Sequence, residues 1–251
     1  MTEIAGLTTE YLKQGRAMKE AKILAEETAK SAKIAGISTA EAVQYMTSAI
    51  NGFNLAATDA TRVSDVFANL AAASATDFED LAIAVSKVSA QANLAGMSLE
   101  YTTALLAKGN ETTQEAPESI GTALKTIVAR MRELSDYGST LEDGGSVNKV
   151  ERALASAGIE LRNVNGEFRD LEDIFSELGP KWDYLNTMQQ QAIAQAVAGT
   201  RQQSRFVAIM QDWGRTQELI ADANASEGAS AAQYAEYANG IEAALTRMKT
   251  S

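Results

Sequence analysis

Apolar residues recur at three- and four-residue spacing along most of this chain, the period that gathers them on one face of an α-helix. The clearest run is Phe78, Leu81, Ala82, Val85, Val88 and Ala92, a single stripe that predicts a helix packed on its neighbours. Ahead of it the pattern predicts a first helix from Thr9 to Ala35, stopped by Gly36 in the left-handed C′ position. Ser38 with Glu41 three residues on is a capping box for a second helix, which should end near Gly52. Asp59 opens a third, with Val63, Val66, Phe67 and Leu70 at helical spacing, and Thr76 with Glu79 forms another capping box for the Phe78 stripe. Ala35-Gly36-Ile37-Ser38 is echoed 60 residues later by Ala95-Gly96-Met97-Ser98, each joining a long helix to a new Ser-capped one. With two copies this reads as a duplicated helical hairpin rather than a solenoid.

Pro117, at home in a first helical turn, precedes a helix with Ile120, Leu124, Ile127, Val128, Met131 and Leu134 on one face. The polar, Gly-rich stretch SDYGSTLEDGGSV at 135–147 then marks the best domain boundary. It divides an N-terminal helical unit, 1–135, from a C-terminal one, 148–251, with 136–147 as linker. A short helix near Val147–Ala157 leads to GIELRNVNGEFRDLEDIF at 158–175, where the period changes. Here β-branched and aromatic residues alternate around Asn165-Gly166, which predicts one small β-hairpin over 159–169 with a type I′ turn, its Ile159, Leu161 and Phe168 laid on helices. Asp170 is placed to cap a helix bearing Leu171, Ile174, Phe175 and Leu178, terminated by Gly179-Pro180. The next helix is read to carry Trp182, Leu185, Ile193, Ala196 and Val197, and one after Gly199 to carry Phe206, Ile209, Met210 and Trp213. An Ala-rich amphipathic pattern then runs through Met248 with no stop signal, as expected of a piece of a longer helical protein. The fold class is all-α: helical hairpins and a bundle, with one small hairpin.

Composition sharpens this in two ways. Forty-six of the 251 residues are alanine, so much of the apolar 45% is small side chains, and only two prolines interrupt the helices. There is no cysteine and no histidine, which removes thiol chemistry, disulfides, the commonest general base and the commonest metal ligand. A net charge of −11 argues against direct nucleic-acid binding, since phosphate contacts need clustered Lys and Arg. No apolar run reaches the length of a membrane span, and Met1–Gly6 lacks the basic start of a signal peptide.

Candidate chemistry is thin. Asp77, Glu79 and Asp80, and again Asp170, Glu172 and Asp173, could supply the paired carboxylates of a glycosidase, but both groups sit where first-turn acids favour the helix dipole. The loop acids Asp136, Glu142 and Asp143 lack the alternating oxygen-ligand spacing of a calcium loop. The methionines read as gap-fillers. Trp182 and Trp213 read as core anchors, with a partner hot spot as the alternative. Arg201, Arg205 and Arg215, beside Gln202 and Gln203, are read as one helical face, either solvated or contacting an acidic partner. The sequence offers no catalytic, cofactor-binding or metal site, so no enzyme is expected.

Three stretches in order resemble the core of the tail tape measure proteins of long-tailed bacteriophages and prophages. They are TDFEDLAIAVSKVSAQANLAGMSLEYTTALLAKGNE (76–111), APESIGTALKTIVARM (116–131) and ALASAGIELRNVNGEFRDLEDIFSELGPKWDYLNTMQQQAIAQAVAGTRQQSRFVAIM (153–210). In the second, Gly121 to Leu124 and Arg130 match that family's characteristic helix. In the third, Gly158, Ile159, Gly166, Arg169, Asp170, Leu171 and Trp182, then Gly199, Arg201, Gln202 and Phe206, fall in its "GI…G…RDL…I…L…W" and "AG.RQ…F" pattern; with Asn165 and Trp213 they are the structural and interaction candidates. The resemblance implies a structural protein of the virion tail lumen, made in the bacterial host cytoplasm. It would help set tail length during assembly and take part in genome delivery. Implied partners are the tail tube protein, tail assembly chaperones and tail-tip or baseplate proteins, with three-fold or six-fold self-association and membrane contact only during ejection. Its frequent Gly stops suit compact hairpins better than one rod, which favours an anchoring, initiating or ejection role. The alternatives are a membrane-active helical protein of genome ejection and a muralytic domain.

Overall fold

A computed structural model describes residues 2–132 and 147–250. The first half builds seven α-helices: α1 Thr2–Lys13, α2 Met18–Ala35, α3 Thr39–Gly52, α4 Ala60–Ala73, α5 Phe78–Leu94, α6 Leu99–Thr113 and α7 Pro117–Met131. The second adds α8 Val147–Ala155, α9 Leu171–Trp182, α10 Thr187–Met210, α11 Trp213–Asn224 and α12 Ala229–Thr250. The proposed linker lies outside the described residues apart from Val147, as does Leu134.

At the centre lies α6. Every residue from Leu99 to Asn110 is buried, with α4, α5, α7, α10 and α11 around it. A helix enclosed on all sides must bury its polar positions too, and each needs a partner. Glu100 accepts two hydrogen bonds from Arg62 at 2.6 and 2.8 Å, and Asn110 donates to Thr76 at 2.8 Å. Just beyond the buried run, Glu111 receives Arg215, which also donates to the Ala73 carbonyl at 2.6 Å, so one guanidinium ties α11 to α6 and to the end of α4.

Small residues set the helix spacing. A Cβ on Gly121 would stand 2.4 Å from the Ala84 carbonyl oxygen, so α7 and α5 lie closer than any larger side chain permits. The Phe78 stripe faces this core as expected, as do Ile120, Leu124, Ile127, Val128 and Met131. Apolar packing runs without interruption from Leu7 through Ala223.

The local signals around Gly36 and Ser38 are met. Gly36 has φ +71°, and Ser38 exchanges hydrogen bonds with Glu41. Other expectations need correction. The first helix is two, because the chain turns at Gly15 (φ +85°) before α2 starts. Thr76 does not cap α5; Asp77 holds that position while Thr76 is buried against Asn110. Gly179-Pro180 does not end α9, which continues to Trp182. Glycine before proline has no Cβ to meet the pyrrolidine ring, so the helical conformation survives there, and the buried Trp182 secures the last turn. Trp182 therefore belongs to α9, and Leu185 to the connection after it. Gly199 does break the α10 run, with φ +68° and ψ 175°. A second break at Asp212, in the left-handed region at φ +54°, moves Trp213 and Arg215 onto a separate helix, α11.

The β-hairpin does not form: among the described residues there is no strand, only an isolated antiparallel bridge between Arg162 and Phe168. The Gly166 amide donates to the Asn163 carbonyl, so Val164 and Asn165 are the central turn residues, and Gly166 alone takes positive φ, +81°. The Asn163 side chain accepts from the amides of Asn165 and Glu167 at 2.9 and 3.0 Å. Those donors go to a side chain rather than into a ladder, which keeps the element an ordered loop.

Candidate interaction surface

The 158–173 stretch is held by the glycine-serine echo. Asp170 sits over Gly96, whose hypothetical Cβ would lie 1.9 Å from its carboxylate, and the Leu171 amide donates to the Ala95 carbonyl at 2.9 Å. The Glu172 carboxylate then accepts from both the amide and the hydroxyl of Ser98, each at 2.9 Å. Glu41 does the same for Ser38 from within its own helix. The two copies of the echo thus share one capping chemistry, supplied locally in the first and from 74 residues away in the second. Asp170 occupies the N-cap position of α9, but its side chain makes no capping hydrogen bond.

Most of the residues singled out by sequence serve this scaffold. Ile159, Leu171, Trp182, Phe206 and Trp213 are buried, and Trp182 meets Phe206 edge-to-face with ring centroids 5.6 Å apart. Gly158, with φ +69°, ends the turn after α8, where the Lys181 ammonium donates to the carbonyls of Ala157 and Gly158. Arg169 pairs with Glu177 and donates to the Glu160 carbonyl at 2.9 Å. At Gly199 the Arg130 guanidinium lies beside the kink and donates to the Ala196 carbonyl at 3.3 Å, partnering an acceptor that the helix break leaves open. The expected arginine face is divided: Arg205 pairs with Glu115 and with Gln202, Arg215 pairs with Glu111 from another helix, and Arg201 is exposed. Asn165 is exposed at its loop tip beside a fully exposed Val164.

The Gly199 kink divides α10 into two arms. Between its arms and the end of α9 lies an open cleft of about 500 Å³, lined by Trp182, Asp183, Thr187, Gln190, Gln191, Ala194, Gln203, Ser204, Val207 and Gln211. Tyr184 and Met188, next in sequence to the lining residues Asp183 and Thr187, are 90% and 82% exposed. Sequence reasoning missed this pair. The available signal was two large apolar side chains four residues apart, on neither stripe assigned to the core.

A family model described as phage-related minor tail protein matches residues 1–199. The chain belongs to that family. It is accordingly a structural component of the phage tail, and a virion protein whose surroundings are other tail proteins. No solved structure matches it. In this tail protein the two carboxylate groups have structural surroundings. Glu172 and Asp170 are engaged at the Ser98 junction, and Asp77, Glu79 and Asp80 stand at the start of α5. Burial, with Asp77 alongside, pushes the Asp80 carboxyl above its ordinary value. Among the described residues no group of acids is placed to hold a metal ion, and no helix is long and apolar enough to cross a membrane.

Proposed function

We propose that this tail protein is the folded module of a tail tape measure protein, acting through protein–protein contacts and without catalysis. The observation that carries the reading is how its three resembling stretches meet. They lie on α5–α6, α7 and α8–α10, and they are joined by Glu172 to Ser98, Arg130 to the Ala196 carbonyl, and a shared core around α6. The pattern that suggests the family therefore coincides with the mutual packing surface. A body of short helices folded back on one another does not lengthen in proportion to residue number, whereas a continuous helix gains about 1.5 Å per residue. The module then serves as an anchor for assembly or delivery, and extended helical parts of a tape measure chain do the measuring. It would meet the tube protein, chaperones and tip proteins through exposed apolar side chains such as Tyr184 and Met188.

The test is tail length by electron microscopy of phage carrying altered genes. Ten neutral residues inserted at the Val164–Asn165 tip should leave length unchanged, and deletion of 1–251 should abolish tails. Tails of normal length after the deletion, or lengthened by about 15 Å after the insertion, would overturn the proposal.

A further inference from the structure

A second surface bears on partner choice. Helices α5 and α7 run parallel: Gly121 lies on Ala84, and 11 residues further on, at the C-cap of α7, the Arg132 guanidinium donates to the Leu94 carbonyl at 2.8 Å. The groove between them holds two adjoining clefts that share Ala129. One, about 510 Å³, is lined by Ser86, Lys87, Thr122, Lys125, Thr126 and Arg130 as well as Ala129. The other, about 430 Å³, is lined by Leu94, Val128 and Phe168 with Gln91, Ala95 and Arg132. Lys87, Lys125 and Arg132 therefore line a strip with no carboxylate among its described lining residues, on a chain with 33 acids against 22 bases. The acids of α5 and α7, Glu79, Asp80 and Glu118, are confined to their first turns, more than a turn before the strip begins. Leu94, at the apolar end, is 81% exposed. Large exposed aliphatic side chains beside a segregated charge are a mark of recognition surfaces.

We infer that the α5–α7 groove docks an acidic amphipathic helix of a partner protein. Charge complementarity selects the partner's sign, and the separation of the two clefts selects its pattern. Lys87 precedes Leu94 by seven residues, about 10 Å along α5, so the partner helix needs an apolar residue at i and carboxylates near i+7. The apolar residue enters between Leu94, Val128 and Phe168, while the carboxylates meet Lys87 and Lys125. Arg132 is already fixed by the Leu94 carbonyl and stacks 5.5 Å from the Phe168 ring, so it presents its charge without needing to be ordered on binding. A nucleic acid fits less well, because half of the strip is apolar and the chain's overall charge of −11 repels a polyphosphate.

The experiment measures binding to the 251-residue chain by fluorescence anisotropy, using as probe a labelled 21-residue helical peptide with leucine at i and glutamates at i+7 and i+8. Saturable binding is expected, weakened at least tenfold by Lys87→Glu with Lys125→Glu and by Leu94→Asp, and weakened by raising salt. Both lysines and Leu94 are exposed, and circular dichroism of each variant confirms that the fold is kept. Three outcomes overturn the proposal: no saturable binding, equal affinity for a glutamate-to-lysine peptide, or tighter binding of a 20-nucleotide single strand.

Discussion

Gly36 and Gly96 occupy equivalent junctions at the same φ of +71°, yet they are constrained differently. A Cβ on Gly36 meets nothing within 4 Å, whereas one on Gly96 enters the Asp170 carboxylate. Gly36→Ala should therefore cost only the left-handed conformation, about 1 kcal/mol. Gly96→Ala should cost that plus displacement of the α9 start, about 1–3 kcal/mol more. Urea unfolding of both variants reads the difference, and equal losses would mean that α9 does not press on this junction. Glu111 supplies a pH signature. The hydrogen-bonded Arg215 guanidinium holds its carboxyl below the ordinary 4.5, and the two side chains are only 22% and 26% exposed. A carboxyl with a folded-state pKa below its unfolded value stabilises above the unfolded pKa and loses that contribution as pH falls through the folded one. Melting temperature should thus fall more steeply below pH 4.5 in the natural chain than in Glu111→Gln.

At the scale of elements, α12 is held at one end. The buried Asp65 on α4 accepts from the amides of Gly228 and Ser230 at 3.0 and 2.9 Å and from the Ser230 hydroxyl at 2.5 Å, an N-cap supplied by a different helix. From Ala235 through Glu242 every residue is exposed. Helices without a packed face fray, so amide exchange should be slow at 231–234 and fast beyond 238. Asp65→Ala should release the slow part and cost about 1–2 kcal/mol; unchanged protection there would show that the cap does not matter. These elements also mark what could be read from sequence. The Ser38–Glu41 box was legible because both partners lie within one turn, and the Phe78 stripe because burial on one face leaves a period. The cap on Ser98 was not legible, since its acid is Glu172, and the Asp65 cap of α12 was not for the same reason. The Asn165-Gly166 signal was real as a turn but misread as a hairpin, because Asn163 three residues back takes the amides that a ladder would use. At the surface, the division of the arginines between α10 and α11 was hidden by a left-handed Asp212 that no composition rule announces.

For the whole molecule, unbroken apolar packing from Leu7 to Ala223 implies one cooperative unfolding step. The chain offers a direct check, because both tryptophans, 182 and 213, lie in its second half. Tryptophan fluorescence should report the same urea midpoint as far-ultraviolet circular dichroism, which samples all the helices. Separate midpoints would mean that the halves on either side of 136–147 fold as independent units. The Asp65 cap also has a consequence for manufacture. The carboxylate leaves the ribosome 163 residues before the Gly228 amide that it will accept. At bacterial translation speeds of about 5–20 residues per second, that is a wait of roughly 8–30 s. The nascent chain spends it with an unmet acid beside growing apolar surface. Order of synthesis, as much as final geometry, therefore decides when this protein becomes safe from wrong contacts.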